Sequence, residues 1–275
     1  MKILEGRAGS RRPVALEPER AQVVEDVYAE YLAHLAGVEG LEVHCDPDVA
    51  WKVSPAAAWS NCGVRVRFAE KSARKRIETI LTRYRTNGRG AGFWVGPAAE
   101  PASLESLLTS QGLRCRKYFP AMYCDLGPPL PKAEPKVAID FQAVTDYSIF
   151  RKHPHPSHGR ISTAIRRFGL YCDEQLASRE PRRAWDLMAT HDGVPAGICT
   201  LFLGATHAGL FDVGVIEPLR NLGIGRAVVR HACQFARTQG MKGAILIATN
   251  MGYGVYHHAG FREVCRVGFW YAAKP

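Results

Sequence analysis

The stretch Val213-Gly-Val-Ile-Glu-Pro-Leu-Arg-Asn-Leu-Gly-Ile-Gly225 leads from an apolar strand pattern, Leu210–Val215, through a loop at Arg220–Gly225 into a helical pattern. That helix, Ala227–Thr238, sets Val228, Ala232, Phe235 and Ala236 on one face and is stopped by Gly240. Glycines between a strand and a helix let the backbone approach a ligand, and the free N–H groups of the helix start attract anions. Two nucleotide sites compete for this reading and lack their residues. A P-loop needs Gly-Lys-Ser/Thr where Gly225-Arg226-Ala227 stands. A dinucleotide fingerprint needs a small residue in place of Val228 and an acid about 20 residues on. No Asp or Glu occurs between Glu217 and Glu263, while Arg220, Arg226, Arg230, Arg237, Lys242 and Arg262 all do. What remains is a pyrophosphate held by backbone amides and flanked by arginines.

Working outward, Trp185–His191 and Pro195–Leu203 alternate as strands about the Asp192-Gly193 turn. Ala244–Thr249 is a buried strand, Gly252–His258 a short helix capped by Gly260, and Phe261–Ala272 a last strand. The segment Gly127–Lys136, GPPLPKAEPK, has four prolines in ten residues, the composition of a linker. The expected organisation is therefore an N-terminal domain at 1–126, a linker at 127–136 and a C-terminal domain at 137–275. In the first half, Pro18–Leu35, Ser72–Tyr84 (ending before Asn87-Gly88) and Ala102–Gln111 read as helices. Gly63–Phe68, Gly92–Val95 and Leu113–Leu126 read as strands.

Arg220-Asn-Leu-Gly223-Ile-Gly225 resembles the R/Q-x-x-G-x-G/A element of the GNAT N-acetyltransferase superfamily. Ala248-Thr-Asn-Met-Gly252 and Val255-Tyr256-His-His-Ala-Gly260-Phe261 are similar to that family's A-S-x-x-G-x-x-L/V-Y-x-x-x-G-F close. The resemblance covers most of Trp185–Tyr271 and departs at Thr249-Asn250, where related sequences often have Ser and Pro. Phe93-Trp-Val-Gly-Pro97, Leu104–Leu108, Gly112 and Pro120-Ala-Met-Tyr-Cys-Asp125 resemble the first half of tandem GNAT-like proteins. That half has no R-x-x-G-x-G equivalent and is not expected to bind coenzyme A. The fold implied is α/β (α+β): two tandem GNAT-like domains, each a mixed, mostly antiparallel sheet flanked by helices.

The resemblance also implies chemistry, residue by residue. Acetyl-CoA is the donor, and an amine of a small molecule or peptide is the acceptor. The backbone of Val213, Gly214 and Val215 would run beside the pantetheine as an added strand. The amides of Leu222, Gly223, Ile224, Gly225, Arg226 and Ala227 would take the pyrophosphate, with Arg220 and Asn221 beside them and Asn250 on the cofactor side. Tyr256 stands where the family's general acid lies, with Tyr253 its neighbour; a phenol is protonated at neutral pH and donates to a thiolate. Asp212 is the acid of its strand and the candidate base, although alternation with Phe211 and Val213 leaves its direction open. His191 and His207 read as turn histidines. A second reading is an acyl-CoA-binding sensor or scaffold without turnover.

The 275 residues carry a formal charge of +10, which favours an anionic partner. The densest basic run, Lys71–Arg76, opens a helical pattern and reads as a solvated face, so nucleic acid is disfavoured. No apolar run has the ~18–20 residues of a membrane helix, and Met1–Pro13 lacks an apolar core. The eight cysteines include no C-x-x-C pair, so reduced thiols in the cytoplasm are expected, with no metal. His153-Pro-His-Pro-Ser-His158 has no Cys or carboxylate beside it. From Tyr147 to Cys172 there is no acid, while Arg151, Lys152, Arg160, Arg166 and Arg167 are present, the basis for expecting a carboxylate or phosphate on the acceptor.

Overall fold

A computed structural model describes residues 15–54, 61–86, 92–157 and 163–272. Met1–Pro13, Asn87-Gly88, His158 and Arg160 lie outside the described residues, as does the side chain of Arg166.

The first half opens with helix α1 (Pro18–His34), whose Pro18 suits the first turn because no N–H is needed there. It continues with strands β1 (Glu42–Asp46), β2 (Val49–Val53) and β3 (Cys62–Val64), then helix α2 (Ala73–Thr86). Strand β4 (Gly92–Val95), helix α3 (Leu104–Ser110) and the long strand β5 (Leu113–Asp125) complete it. The second half runs β6 (Asp140–Ala143), α4 (Ile149–Lys152), α5 (Thr163–Ala177), β7 (Ala184–His191), β8 (Val194–Leu203) and β9 (His207–Val215). Helix α6 (Ile224–Thr238), β10 (Gly243–Ile247), α7 (Tyr253–His258) and β11 (Arg262–Ala272) follow.

All described strands join one sheet in the order β1-β2-β3-β4-β11-β5-β10-β9-β8-β7-β6. Only β3–β4 and β9–β10 pair in parallel among them. One face packs α6 and α7 through Val228, Ala232, Cys233 and Phe261, and farther along it packs α2 and α3 through Ile77, Leu81 and Leu104. The opposite face carries α1 through Val24 and Val27, and α5 through Cys172 and Leu176.

The halves are interlocked by their last strands. β5 lies between β10 and β11, with Gly243↔Asp125 to Ile247↔Ala121 on one side and Arg262↔Tyr123 to Ala272↔Leu113 on the other. β11 in turn lies between β5 and β4. The proline-rich segment is strapped down as well. Prolines supply carbonyls without N–H donors, and Arg230 Nε donates to Pro131 O (3.0 Å) and Arg237 to Gly127 O (3.0 Å). The Lys136 N–H bonds Leu222 O (2.8 Å) at the glycine loop.

The strand expected at Gly63–Phe68 ends at Val64, because Arg65 takes a left-handed backbone (φ 53°) and turns the chain. Helix α6 starts at Ile224, three residues before the expected Ala227. The short strands β1, β2 and β6 and helix α5 were not anticipated by the patterns read above.

Candidate active site

Two left-handed residues, one on each side of Leu222, aim the start of α6. Asn221 has φ 65° and Gly223 φ 82°, and a Cβ at Gly223 would also lie 3.2 Å from Pro135 Cα. Gly223 is the N-cap, has no side chain, and leaves the helix start without any side-chain cap. The N–H groups of Ile224, Gly225 and Arg226 have no carbonyl one turn earlier to bond. Arg226 Nε is buried without a hydrogen-bond partner among the described residues. An orphaned guanidinium N–H beside uncapped amides fits a phosphate-bearing group. Arg220 Nε bonds the Val215 carbonyl (3.2 Å).

Beside this loop the sheet opens. β9 and β10 pair only from Gly243↔His207 to Ile245↔Gly209. Past that point β9 stays with β8 and β10 stays with β5, leaving a V between two parallel strands. A bulge sharpens it: Thr200 faces Phe211 but Ile198 faces Gly214, so β9 carries an extra residue at Asp212, which takes φ 46°. The Ile216 N–H bonds Ala196 O (3.0 Å) across the β8 side. Alternation then turns the backbone groups of Val213 and Val215 into the V. Gly214 is fixed by its neighbour: a Cβ there would lie 2.4 Å from Pro156 O and Ser157 Cα.

Asp212 opens to solvent at the mouth of the V yet is ringed by protein, and this burial raises its carboxyl above the ordinary range, with Lys52 opposing. Two further carboxylates lie close enough for charge to be felt. Asp186 is buried and accepts hydrogen bonds from Tyr147 OH (2.6 Å) and Thr200 Oγ1. Burial raises it, these two bonds partly offsetting. Asp173, on α5, is pushed well up by burial and then by the charges of Asp186 and Asp212. Helix α1 supplies the aromatic wall: Tyr31 stacks on Phe211 at 4.2 Å and Tyr28 meets it edge-on at 5.0 Å.

Tyr256 projects from α7 into the same region. Burial raises its phenol first, and the nearby Cys199 and Asp212 add to this, so it stays protonated throughout the neutral range. A Cβ at Gly252 would lie 2.6 Å from Tyr256 Cε2, so the ring rests on the bare glycine. Thr249 starts this helix through its carbonyl and Oγ1, both accepting from the Gly252 N–H, and Asn250 stands exposed in the turn after β10. Thus the loop 220–227, the edge 213–215, Asp212 and Tyr256 converge on one cleft.

Other sequence candidates fall elsewhere. His191 Nδ1 bonds Ala138 O (2.8 Å) at a turn, and His207 packs beside Tyr123. Arg151, Lys152 and Arg167 are solvent-exposed. Of the basic residues in the acid-free stretch, Arg230 and Arg237 hold the strap and Arg262 pairs with Glu17 (2.7 Å). Sequence reasoning missed Lys52, Tyr28, Tyr31, Asp173 and Asp186. Only Asp186, a lone acid within an apolar strand, carried a local signal. In the first half, the corresponding end of the parallel pair is filled by Glu25 of α1, which is buried, bonded to Arg67 (2.7 Å) and packed on Gly96. Among the described residues no group of His, Cys, Asp and Glu could hold a metal ion, and no helix is long and apolar enough to cross a membrane.

Comparison with known proteins agrees with this geometry. The sequence model of the Acetyltransferase (GNAT) family matches residues 149–261. The structure is similar to a GCN5-related N-acetyltransferase from Kribbella flavida (TM-score 0.69, 16% identity), covering 93% of this chain and 96% of that one. It is also similar to a tandem GNAT protein from the clavulanic acid biosynthesis pathway (TM-score 0.58, 13% identity; 96% and 98% covered). A third is a GCN5-related N-acetyltransferase from Sphaerobacter thermophilus (TM-score 0.56, 17% identity; 94% of each chain covered). A comparison with curated proteins gives no match. At these identities the structures speak to the fold, which they share with this chain over most of its length. Residues 149–261 thus carry the match to the acetyltransferase (GNAT) family model, within a fold that the chain shares with GCN5-related N-acetyltransferases over most of its length.

Proposed function

We propose that the protein is an acetyl-coenzyme A-dependent N-acetyltransferase acting on the amine of a small molecule or peptide. The observation that carries this reading is the uncapped α6 start opening beside a splayed strand edge, with a carboxylate and a phenol in the same cleft. The amides from Leu222 to Ala227, with Arg220, Asn221 and Arg226, would hold the pyrophosphate. The free edge of Val213, Gly214 and Val215 would hold the pantetheine arm, and Asn250 would border it. When bound, acetyl-CoA supplies an acetyl thioester open to attack by an amine. Asp212 takes the proton of the incoming ammonium, so that a neutral nitrogen forms the new N–C bond as the C–S bond breaks. Tyr256 gives its phenolic proton to the departing sulfur.

Asp173 and Asp212 stand within charge range of each other in the cleft, and an amine that arrives as an ammonium would offset their mutual repulsion. An anionic group on the acceptor has less support, since Arg151, Lys152 and Arg167 face solvent. Eight free cysteines, six of them buried, suit the reducing cytoplasm.

Thermal unfolding with and without acetyl-CoA tests the reading, with ATP and NAD as controls. At ~100 times its Kd a ligand stabilises by about 2.7 kcal/mol. A shift with acetyl-CoA alone is expected, and its absence refutes the donor. Tyr256→Phe should keep that shift and lose turnover; a wild-type protein that binds acetyl-CoA but acetylates no amine would be a sensor or scaffold.

A further inference from the structure

The cleft holds one cation that comes from the first half of the chain. Lys52 on β2 is the cross-strand partner of Val43 on β1, and opposed residues of a pair share a face of the sheet. Val43 packs in the cluster of Tyr31 from α1 with Phe168, Tyr171 and Cys172 from α5. Lys52 therefore enters the space between α1 and α5. The ring of Tyr31 stacks there on Phe211, the residue before Asp212. Lys52 is half-buried and forms no ion pair among the described residues.

We propose that Lys52 is a positioning residue of the acyl-transfer site, whose ammonium keeps the Asp212 carboxylate ionised and able to take a proton. The role rests on the proposed function, in which Asp212 is the base. The need for such a charge follows from the surroundings of Asp212. Tyr28 and Tyr31 face it from α1, Asp173 from α5, Asp186 from β7, Cys199 from β8 and Tyr256 from α7. Every one of these is neutral or negative when it titrates. Two further acids and low-polarity walls disfavour a third negative charge, and a base that stays protonated accepts nothing. Lys52 supplies the opposing charge from across the cleft. The first half thereby becomes part of the catalytic machinery rather than a wall alone, although it contributes no glycine loop of its own.

The test needs neither donor nor acceptor. The full chain is labelled with carboxyl-13C aspartate, the Asp212 resonance is assigned by its loss in Asp212→Asn, and its titration is followed by NMR. In Lys52→Met the midpoint should rise by about one pH unit, the effect of removing a unit charge several ångströms away. Lys52→Arg keeps the charge and should leave the midpoint within ~0.3 unit of wild type. If Lys52→Met does not fold, Lys52→Gln replaces it. An unmoved midpoint in the neutral variant overturns the proposal, as does an equal rise in Lys52→Arg. Because the titration is read on the free protein, its failure is separate from a failure to bind acetyl-CoA. With an acceptor in hand, the acidic limb of kcat/KM against pH should move upward in Lys52→Met while KM for acetyl-CoA stays fixed.

Discussion

The ring of Tyr31 lies flat on the ring of Phe211, 4.2 Å between centroids and 17° from parallel. One residue comes from the first helix of the chain and the other from the strand that bears Asp212, 180 positions later in sequence. The stack holds α1 over the bulge and closes one side of the cleft, with Tyr28 edge-on at 5.0 Å. Removing a half-buried aromatic ring costs packing, and a stacked pair adds about 0.5–1.5 kcal/mol beyond its area. Tyr31→Ala should lower stability in urea by about 2–4 kcal/mol, and Tyr31→Phe by less than about 1 kcal/mol. Equal losses in the two variants would show that the hydroxyl, not the ring, matters.

Gly252 is the seat of Tyr256. A methyl group there would lie 2.6 Å from Cε2 of the ring, closer than real contacts come, and 3.1 Å from its hydroxyl. The ring must swing, since α7 is tied down by the Thr249 bonds behind it. Gly252→Ala should therefore reduce kcat by roughly 10²-fold, the scale of a lost general acid, while the thermal shift with acetyl-CoA persists. If turnover survives Gly252→Ala unchanged, Tyr256 does not donate the proton.

How much of this was legible in the chain itself varies with the range of the interaction. The strand, glycine loop and helix from Leu210 to Thr238 are local matters of turn chemistry and apolar period, and they stand in the sequence. The motif order also singles out Tyr256, but alternation left the direction of Asp212 open, and its place in the cleft comes from the bulge in β9. Charge content misled where it met long-range structure. Arg230, Arg237 and Arg262 sit in a stretch without acids, yet they serve carbonyls at 127–131 and the carboxylate of Glu17. Lys52, Tyr31 and Asp173 gave no local sign at all. Their roles come from the packing of α1, β2 and α5 against the second half, which no window of sequence contains.

The three carboxylates predict a pH signature of stability. A carboxyl raised by folding favours the protonated native state. Its contribution is present below the unfolded value, near 3.9 for Asp, and is lost as pH rises through the folded value. Asp173 is raised by burial and by Asp186 and Asp212, so at neutral pH the fold holds a proton that the unfolded chain releases, which costs stability. Asp173→Asn removes that cost and leaves a side chain of the same shape. Its Tm should exceed that of the wild type by several degrees at pH 8, and the two should converge near pH 4. Parallel curves across that range would mean that folding does not raise the Asp173 carboxyl.

The strand exchange makes a prediction about cutting the chain. Division at the proline-rich segment would give pieces 1–126 and 137–275, the two domains that composition suggests. The second piece alone would leave β10 and β11 with a gap where β5 belongs, two rows of unpaired backbone groups opened at the centre of the sheet. The first would lose β11 from between β4 and β5. Unpaired edges of this length recruit other chains, and buried backbone groups left without partners each cost about 1–3 kcal/mol. Neither piece should be soluble and cooperative in unfolding when expressed alone. Produced together they should recover a complex, because every strand then finds its neighbours and what is lost is the strap at 127–136 with its bonds to Arg230 and Arg237. A monomeric, cooperatively folding 137–275 fragment that binds acetyl-CoA would contradict the exchange and restore the simple two-domain boundary.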